Sequence, residues 1–365
     1  MPSEEMTEEV SFLHSKKKMV RCVAKLTDDL MVEILSRLPT KSFFRFQCIS
    51  KSWLALSNDP CYQNIFPSAV SGLIFNVRRA YPDLRWGIQH ISLSNNDDDF
   101  AIDTTLRFLL WNTAVISSCN GLLLCRSWVS KTCGTASHYV CNPATRKWVV
   151  VPKTNDLRAF LALGFEPHIS RHYHILCCDV GEILEFMIFS SKTNKWVVTK
   201  VPGTKRSPEL EATFFNGIFY VTAGRNKVLR VDPEGKFRRR IKLPESVGIK
   251  HLGHSGGYLH YMLQRRNKIK VWMREDCCRA KWVLKHCIDI RATLQKHRNP
   301  ETQNIRILEF HPNMDVVFLR IGRKIYSYLL NYGRLEEVGH LGDTRDERCF
   351  VYSPRLSKGF GHEVA

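Results

Sequence analysis

The chain has 365 residues, more than the roughly 250–300 at which one hydrophobic core stops growing, so two domains are expected. Its 44% hydrophobic and 24% charged residues are ordinary for a globular protein, and no run approaches the roughly 20 apolar residues of a membrane span. Fifty-four Lys and Arg against 35 Asp and Glu leave a net charge of +19, which speeds encounter with acidic partners and raises non-specific affinity for nucleic acid.

Residues 1–24 read as a flexible arm. Glu4, Glu5, Glu8 and Glu9 open it and no apolar core follows, so it is not a secretory signal. Lys16, Lys17, Lys18 and Arg21 form a basic cluster of the kind used for nuclear import, though such clusters are common in flexible arms. Thirteen cysteines, an odd number without framework spacing, fit reduced thiols in cytosol or nucleus.

Residues 25–66 read as a compact helical segment. Thr27 and Asp28 are good N-cap residues, and Asp28, Asp29 and Glu33 place negative charge near a helix N-terminus. Leu30, Ile34 and Leu38 recur every four residues, with Met31 and Leu35 beside them, which makes a wide apolar stripe. Pro39 stops the helix, because it disfavours helical geometry before it and has no N–H to donate. Phe43, Phe46, Ile49 and Trp53 resume the helical spacing downstream. A unit of about 40 residues seldom buries enough surface to stand alone. Its apolar residues must face something else.

This ordered series resembles an F-box, the adaptor-binding module of Skp–cullin–F-box ubiquitin ligases. The likeness rests on Leu26, Asp28 and Leu30, on Glu33-Ile34-Leu35, and on Arg37-Leu38-Pro39. It continues through Lys41-Ser42, Arg45-Phe46 and the close at Lys51 and Trp53. Thr27 stands where the family usually has proline, Ile49 where valine is common and Ser50 where cysteine is common. The resemblance implies that Leu26, Leu30, Ile34, Leu38, Pro39, Ile49, Lys51 and Trp53 contact a Skp-type adaptor or support that contact directly, and that the three departures weaken adaptor binding without abolishing it.

Residues 71–365 are organised by a repeat. A glycine followed by an apolar run occurs at Asn120-Gly121-Leu122, Asn216-Gly217-Ile218 and Gly256-Gly257-Tyr258. A turn and a basic or aromatic strand follow each, as at Asn142–Trp148, Ser191–Trp196, Asp232–Phe237 and Arg279–Trp282, and more weakly at Asn331–Leu335. Trp148, Trp196, Phe237 and Trp282 are spaced by 48, 41 and 45 residues, the period of a four-stranded propeller blade. Pro152, Pro202 and Pro244 are expected at blade ends, where a missing ladder donor is tolerated. The repeats leave the blade count open, with a distorted propeller or a large β-sandwich as alternatives.

The same region resembles the F-box-associated, kelch-like propeller domains of plant F-box proteins. The residues that carry the likeness include Asn120-Gly121-Leu122-Leu123, Cys141-Asn142-Pro143-Ala144-Thr145, Lys147-Trp148, Lys195-Trp196 and Phe310-His311-Pro312. The expected fold class is therefore α+β as a whole: a small helical F-box followed by an all-β, propeller-like domain.

Catalytic chemistry finds no motif. The chain has no phosphate-binding glycine loop, nucleophile elbow or zinc motif of standard spacing. His172, His174, Cys177 and Cys178 are the nearest approach to a metal set, yet Cys177 falls on the opposite strand face from the two histidines. No catalytic residue, cofactor or metal is expected. The basic run Lys236–Lys242 reads as a solvated strand face with an apolar reverse, and Arg265–Lys270 as protection of an edge strand.

The function implied is that of a non-catalytic substrate receptor. The F-box would dock the adaptor, and through it a cullin, while the β-rich domain recruits an unidentified target, expected to be a protein, for ubiquitination. Skp-type adaptors are acidic, which suits the charge. The expected location is nucleus or cytoplasm, without secretion, membrane or nucleic-acid partner. The alternative is a basic propeller scaffold that binds nucleic acid or another polyanion, with the helical segment a mere cap.

Overall fold

A computed structural model describes residues within 26–354, apart from 39–41, 44–45, 47–49, 58–61, 63–69, 79–85, 94–105, 107, 110–111, 129–135, 153–159, 168, 179–182, 206–209, 275–280, 297–304 and 343–347. Helix α1 (Asp28–Ser36) starts from an extended Thr27, whose carbonyl accepts the N–H of Met31 (3.0 Å). The Thr27 side chain makes no capping hydrogen bond, so the cap expected there works through the backbone alone. Arg37 ends the helix and pairs with Glu33 one turn back, Nε to Oε1 at 2.8 Å. Helix α2 (Lys51–Ser57) packs beside α1.

The strands begin with β1 (Gly72–Arg78) and β2 (Trp86–Ser92). Four-stranded sheets follow in strict chain order. The first holds β3 (Thr113–Cys119), β4 (Leu122–Trp128), β5 (Ala136–Asn142) and β6 (Lys147–Val150). The second holds β7 (Phe160–Gly164), β8 (His174–Cys178), β9 (Ile183–Ser190) and β10 (Lys195–Lys205). The third holds β11 (Ala212–Phe215), β12 (Ile218–Ala223), β13 (Lys227–Val231) and β14 (Phe237–Lys242). The fourth holds β15 (Ile249–Ser255), β16 (Tyr258–Arg265), β17 (Lys268–Arg274) and β18 (Val283–Asp289), after which comes the short helix α3 (Ile290–Lys296). The fifth holds β19 (Ile305–Phe310), β20 (Val316–Ile321), β21 (Lys324–Leu329) and β22 (Arg334–His340). Last, β23 (Cys349–Tyr352) pairs antiparallel with β1, so the two ends of the β-region share the sixth sheet, in the order β2-β1-β23.

These six antiparallel sheets are the blades of a β-propeller. The innermost strands β3, β7, β11, β15, β19 and β23 each touch the next, and β23 touches β3, which closes the ring. The sandwich alternative is thereby excluded, because a sandwich stacks two sheets around one core whereas these six sheets follow one another around a closed ring. Apolar clusters fill the spaces between successive blades instead.

The sequence repeat marks two kinds of hairpin. Asn120-Gly121 and Asn216-Gly217 turn the innermost strand into the second, with both residues of each pair at positive φ, the conformation that Asn and Gly tolerate best. The turn-then-aromatic element joins the third strand to the fourth. Trp148, Trp196 and Trp282 lean back onto the rings of Tyr139 (5.4 Å), Phe189 (5.3 Å) and Tyr261 (5.9 Å), which anchors the most exposed strand to the blade.

Three local expectations need correction. Pro202 does not end a blade but lies inside the outer strand β10, where the register with β9 shifts between Lys200 and Lys205. Arg265–Lys270 guards no edge, since it forms the hairpin between the interior strands β16 and β17, with Arg266 at φ 53°. In β14, Ile241 is buried but Arg239 is exposed along with Arg240 and Lys242. The register shift between Arg230 and Val231 breaks the simple alternation there.

Candidate functional site

Two surfaces merit description: the outward face of α1 and the channel along the propeller axis. The helical segment divides its apolar residues between two sides. Met31, Val32 and Leu35 are buried against Phe43 and Leu56, with Leu38, Phe46, Trp53 and Tyr62 packed around them. That cluster is made, among the described residues, of the segment's own side chains. Leu26, Leu30 and Ile34 form the other row, spaced by four residues and 46%, 53% and 41% exposed. One helix therefore has a satisfied side and an uncovered one.

The residues expected to meet an adaptor are thus split. Leu26, Leu30 and Ile34 share the uncovered row. Leu38 and Trp53 are half-buried in the internal cluster, Trp53 stacking on Phe46 at 4.8 Å between ring centroids. Lys51 begins α2, with only its backbone described. Pro39 and Ile49 lie outside the described residues. Ser50 Oγ has a hydroxyl partner in Ser52 (2.8 Å), which satisfies the polar group that replaces the usual cysteine.

The channel has a volume of about 1190 Å³ and is walled by the six innermost strands. Hydrogen bonds between neighbouring inner strands show that these run parallel. Ser117 Oγ accepts the N–H of Leu163 (3.1 Å), and two residues on, Cys119 Sγ accepts the N–H of Phe165 (3.3 Å). Glu211 Oε2 accepts the N–H of Leu252 (2.9 Å), and two residues on, Thr213 Oγ1 lies 3.1 Å from His254 Nδ1. Ser118 Oγ donates to Val351 O (2.7 Å) across the closing blade.

Two buried polar groups hold blade to blade more firmly. Asn76 on β1 donates to Val115 O and accepts from Val115 N, both at 2.8 Å, as though it were another strand residue. The Glu166 carboxylate takes the N–H of Asn216 (2.7 Å) and of Gly217 (2.6 Å), gripping the hairpin of the next blade.

His251 sits in the channel wall between two carboxylates, with Nε2 2.8 Å from Glu309 Oε1 and Nδ1 3.8 Å from Glu211 Oε1. Burial opposes its charge, but Glu309 and Glu211 together outweigh burial and hold its pKa well above the ordinary value. Nearby His254 goes the other way, because burial prevails. Burial also pushes His138 down to about 4, with Arg126 adding to the shift, so His138 stays neutral and accepts the Arg126 Nε–H (3.0 Å). Sequence spacing offered no sign of the His251 group, since its partners stand 40 and 58 residues away and meet it only through the closed ring.

Among the described residues no helix is long and apolar enough to cross a membrane. Comparison with known families agrees with both halves of the structure. Residues 24–63 match the F-box domain, and residues 88–241 match the F-box associated beta propeller domain. The chain is 27% identical over 292 residues to F-box protein At5g49610 of Arabidopsis thaliana, covering 71% of this chain and 75% of that protein. It is 26% identical over 306 residues to F-box protein At5g07610 of the same plant, covering 72% and 70%. The helical module with one uncovered row thus matches the F-box domain, and the ring of blades that follows it in the chain matches the F-box associated beta propeller domain over residues 88–241.

Proposed function

We propose that this chain is a substrate-receptor subunit of a Skp–cullin–F-box ubiquitin ligase. The helical segment docks a Skp-type adaptor and, through it, a cullin, while the propeller holds the target for ubiquitination. The observation that carries this reading is the row of Leu26, Leu30 and Ile34, left uncovered on a helix whose other side is already packed. Covering those half-exposed side chains would contribute about 1 kcal/mol each, enough for a stable contact once neighbouring residues join it. The role needs no chemistry of its own, because tethering a target near activated ubiquitin raises its effective concentration. Nucleus or cytoplasm is the expected setting.

Co-expression with a Skp-type adaptor tests the proposal. The full chain should copurify with the adaptor, and Leu30→Glu with Ile34→Glu should abolish copurification while leaving the thermal transition in place. Failure of the unmutated chain to hold any such adaptor would falsify the reading. A second reading, polyanion binding by the propeller, draws support from the exposed Arg239, Arg240 and Lys242 of β14. It requires strongly salt-dependent retention of an oligonucleotide, lost when those residues are reversed in charge.

A further inference from the structure

We propose that the rim of the propeller where the inner strands begin is, over the third and fourth blades, a docking surface for an acidic segment of a partner protein. The segment's carboxylates meet Arg225, Lys227, Lys242, Arg265, Arg266 and Lys268, and its aliphatic side chains cover Val247 and Ile249. Taking that partner to be the recruited target rests on the substrate-receptor reading.

Strand direction gathers these residues. The inner strands are parallel, so the hairpin between second and third strands, and the end of the outer strand, lie at the rim where each inner strand starts. On the third blade that hairpin is Gly224-Arg225-Asn226, closing on Lys227, and Lys242 stands opposite Lys227. On the fourth it is Arg266-Asn267, between the paired Arg265 and Lys268. Lys250 Nζ donates to Arg225 O (2.7 Å), which holds the first hairpin against the fourth blade.

All six cations are exposed, and none forms an ion pair or a side-chain hydrogen bond with another described residue. Three described carboxylates stand near them, and each is engaged elsewhere. Glu211 turns into the channel, where it accepts the Leu252 N–H and approaches His251. Glu245 pairs with Lys270. Asp289 lies opposite Lys268 on β18 but accepts the Ala292 N–H at the start of α3 (3.1 Å). The rim keeps a positive field.

Two local features carry a cost that the fold does not recover. Lys227 faces Lys242 directly across the β13–β14 ladder, and Arg265 faces Lys268 across β16–β17, although like charges in opposed positions repel. Arg266 holds φ 53° in the turn position that Gly322 (φ 60°) takes in the fifth blade. A long side chain kept at a strained turn, beside repelling neighbours, fits a residue retained for contact with a partner. A bound carboxylate offsets the repulsion.

The surface between the two hairpins is apolar. The linker from β14 to β15 carries Val247 and Ile249, 68% and 54% exposed. It is fixed in place: Gly248, at φ 145°, lies so close to Gln264 O that a side chain would collide there, and Tyr261 Oη donates to Glu245 O (2.9 Å). Two anchored aliphatics between cationic hairpins suit a peptide with apolar residues among its carboxylates. Nucleic acid suits this rim less, because single strands stack their bases on aromatic rings. The large exposed aromatics, Trp148, Tyr258 and Tyr332, all lie at the opposite rim.

The experiment measures binding of the full chain to a fluorescent peptide of alternating glutamate and leucine, with glutamine-leucine and glutamate-serine counterparts. Two charge-reversed doubles are compared: Arg265→Glu with Lys268→Glu at the proposed rim, and Lys195→Glu with Lys281→Glu, both exposed, at the opposite rim. Both alter net charge equally, so a general field effect weakens them alike. The glutamate-leucine peptide should bind about tenfold or more tightly than the glutamine-leucine peptide and about fivefold more tightly than the glutamate-serine one. The rim double should lose about tenfold or more, and the opposite double should stay within about twofold. Arg266→Gly relieves the strained turn, so its thermal transition should not fall while binding weakens about threefold. A lower transition with binding unchanged overturns the proposal. So does equal affinity for the glutamine-leucine peptide, equal loss in both doubles, or an oligonucleotide that displaces the peptide from the rim. Arg265→Gln with Lys268→Gln, checked by its thermal transition, covers the case in which the reversal does not fold. Adaptor copurification is scored on the same samples. Adaptor lost from the rim double assigns the rim to the adaptor and overturns the proposal. Adaptor absent from the unmutated chain, with peptide still bound, overturns the receptor reading and leaves the rim site standing.

Discussion

His251 on β15 reaches Glu309 on β19 with 2.8 Å between Nε2 and Oε1, tying two blades together inside the channel wall. Glu211, from the blade before, approaches the other ring nitrogen at 3.8 Å. Three successive blades thus converge on one imidazole, and the ring of Phe310 covers it at 5.7 Å.

The convergence predicts a pH-dependent contribution to stability. The folded pKa of His251 is raised, so its stabilising charge is fully present below the unfolded value of about 6.5. That contribution is lost as pH rises through the folded pKa. The stability difference between the native chain and His251→Gln, from urea unfolding across a pH series, should be largest below about pH 6.5 and shrink above it. At the acid side it should reach about 2–3 kcal/mol, the range for hydrogen bonds to charged groups. A difference that grows with pH would refute the assignment.

Glu166 should behave as a clasp between the second and third blades. Glu166→Ala leaves the part-buried N–H groups of Asn216 and Gly217 without their acceptor and should cost about 1–3 kcal/mol in denaturant unfolding. Glu166→Gln keeps one acceptor oxygen but turns an NH₂ toward the second N–H, so it should fall between the two. Equal stability for all three chains would remove the clasp.

Asn76 should matter to ring closure. Its side chain is fully buried and fills both hydrogen-bonding positions of Val115, one blade away. Asn76→Ala should lower stability by about 2–4 kcal/mol, and Asn76→Asp by at least as much, since a carboxylate would face the Val115 carbonyl. Hydrogen exchange at Val115 N–H should quicken in both.

The two sides of α1 should separate folding from docking. Leu35 is completely buried, and Leu35→Ala should destabilise the helical segment by about 2–4 kcal/mol. Leu30→Glu, on the exposed row, should stay within about 0.5 kcal/mol of the native chain yet weaken adaptor capture. Calorimetry and copurification on the same two variants check the split.

Much of the architecture was legible because local chemistry forces it. Asn-Gly pairs announced hairpins because few residues accept positive φ twice in succession, and the recurring tryptophan marked three of the outer strands because its ring anchors the strand to the blade. The edge role given to Arg265–Lys270 failed because edge and interior strands differ only in what pairs beside them. Pro202 misled for a related reason: an outer strand tolerates proline within its length as well as at its end.

By itself the sequence determined the helical module, the blade period and the turns, all of which depend on residues a few positions apart. Only the tertiary structure decided that there are six blades, that β23 returns to β1, and which side of α1 is left bare. It alone brought Glu211, His251 and Glu309 together in the channel wall. Those groupings arise from parallel strands closing into a ring, and ring closure joins residues whose separation along the chain carries no periodic signal.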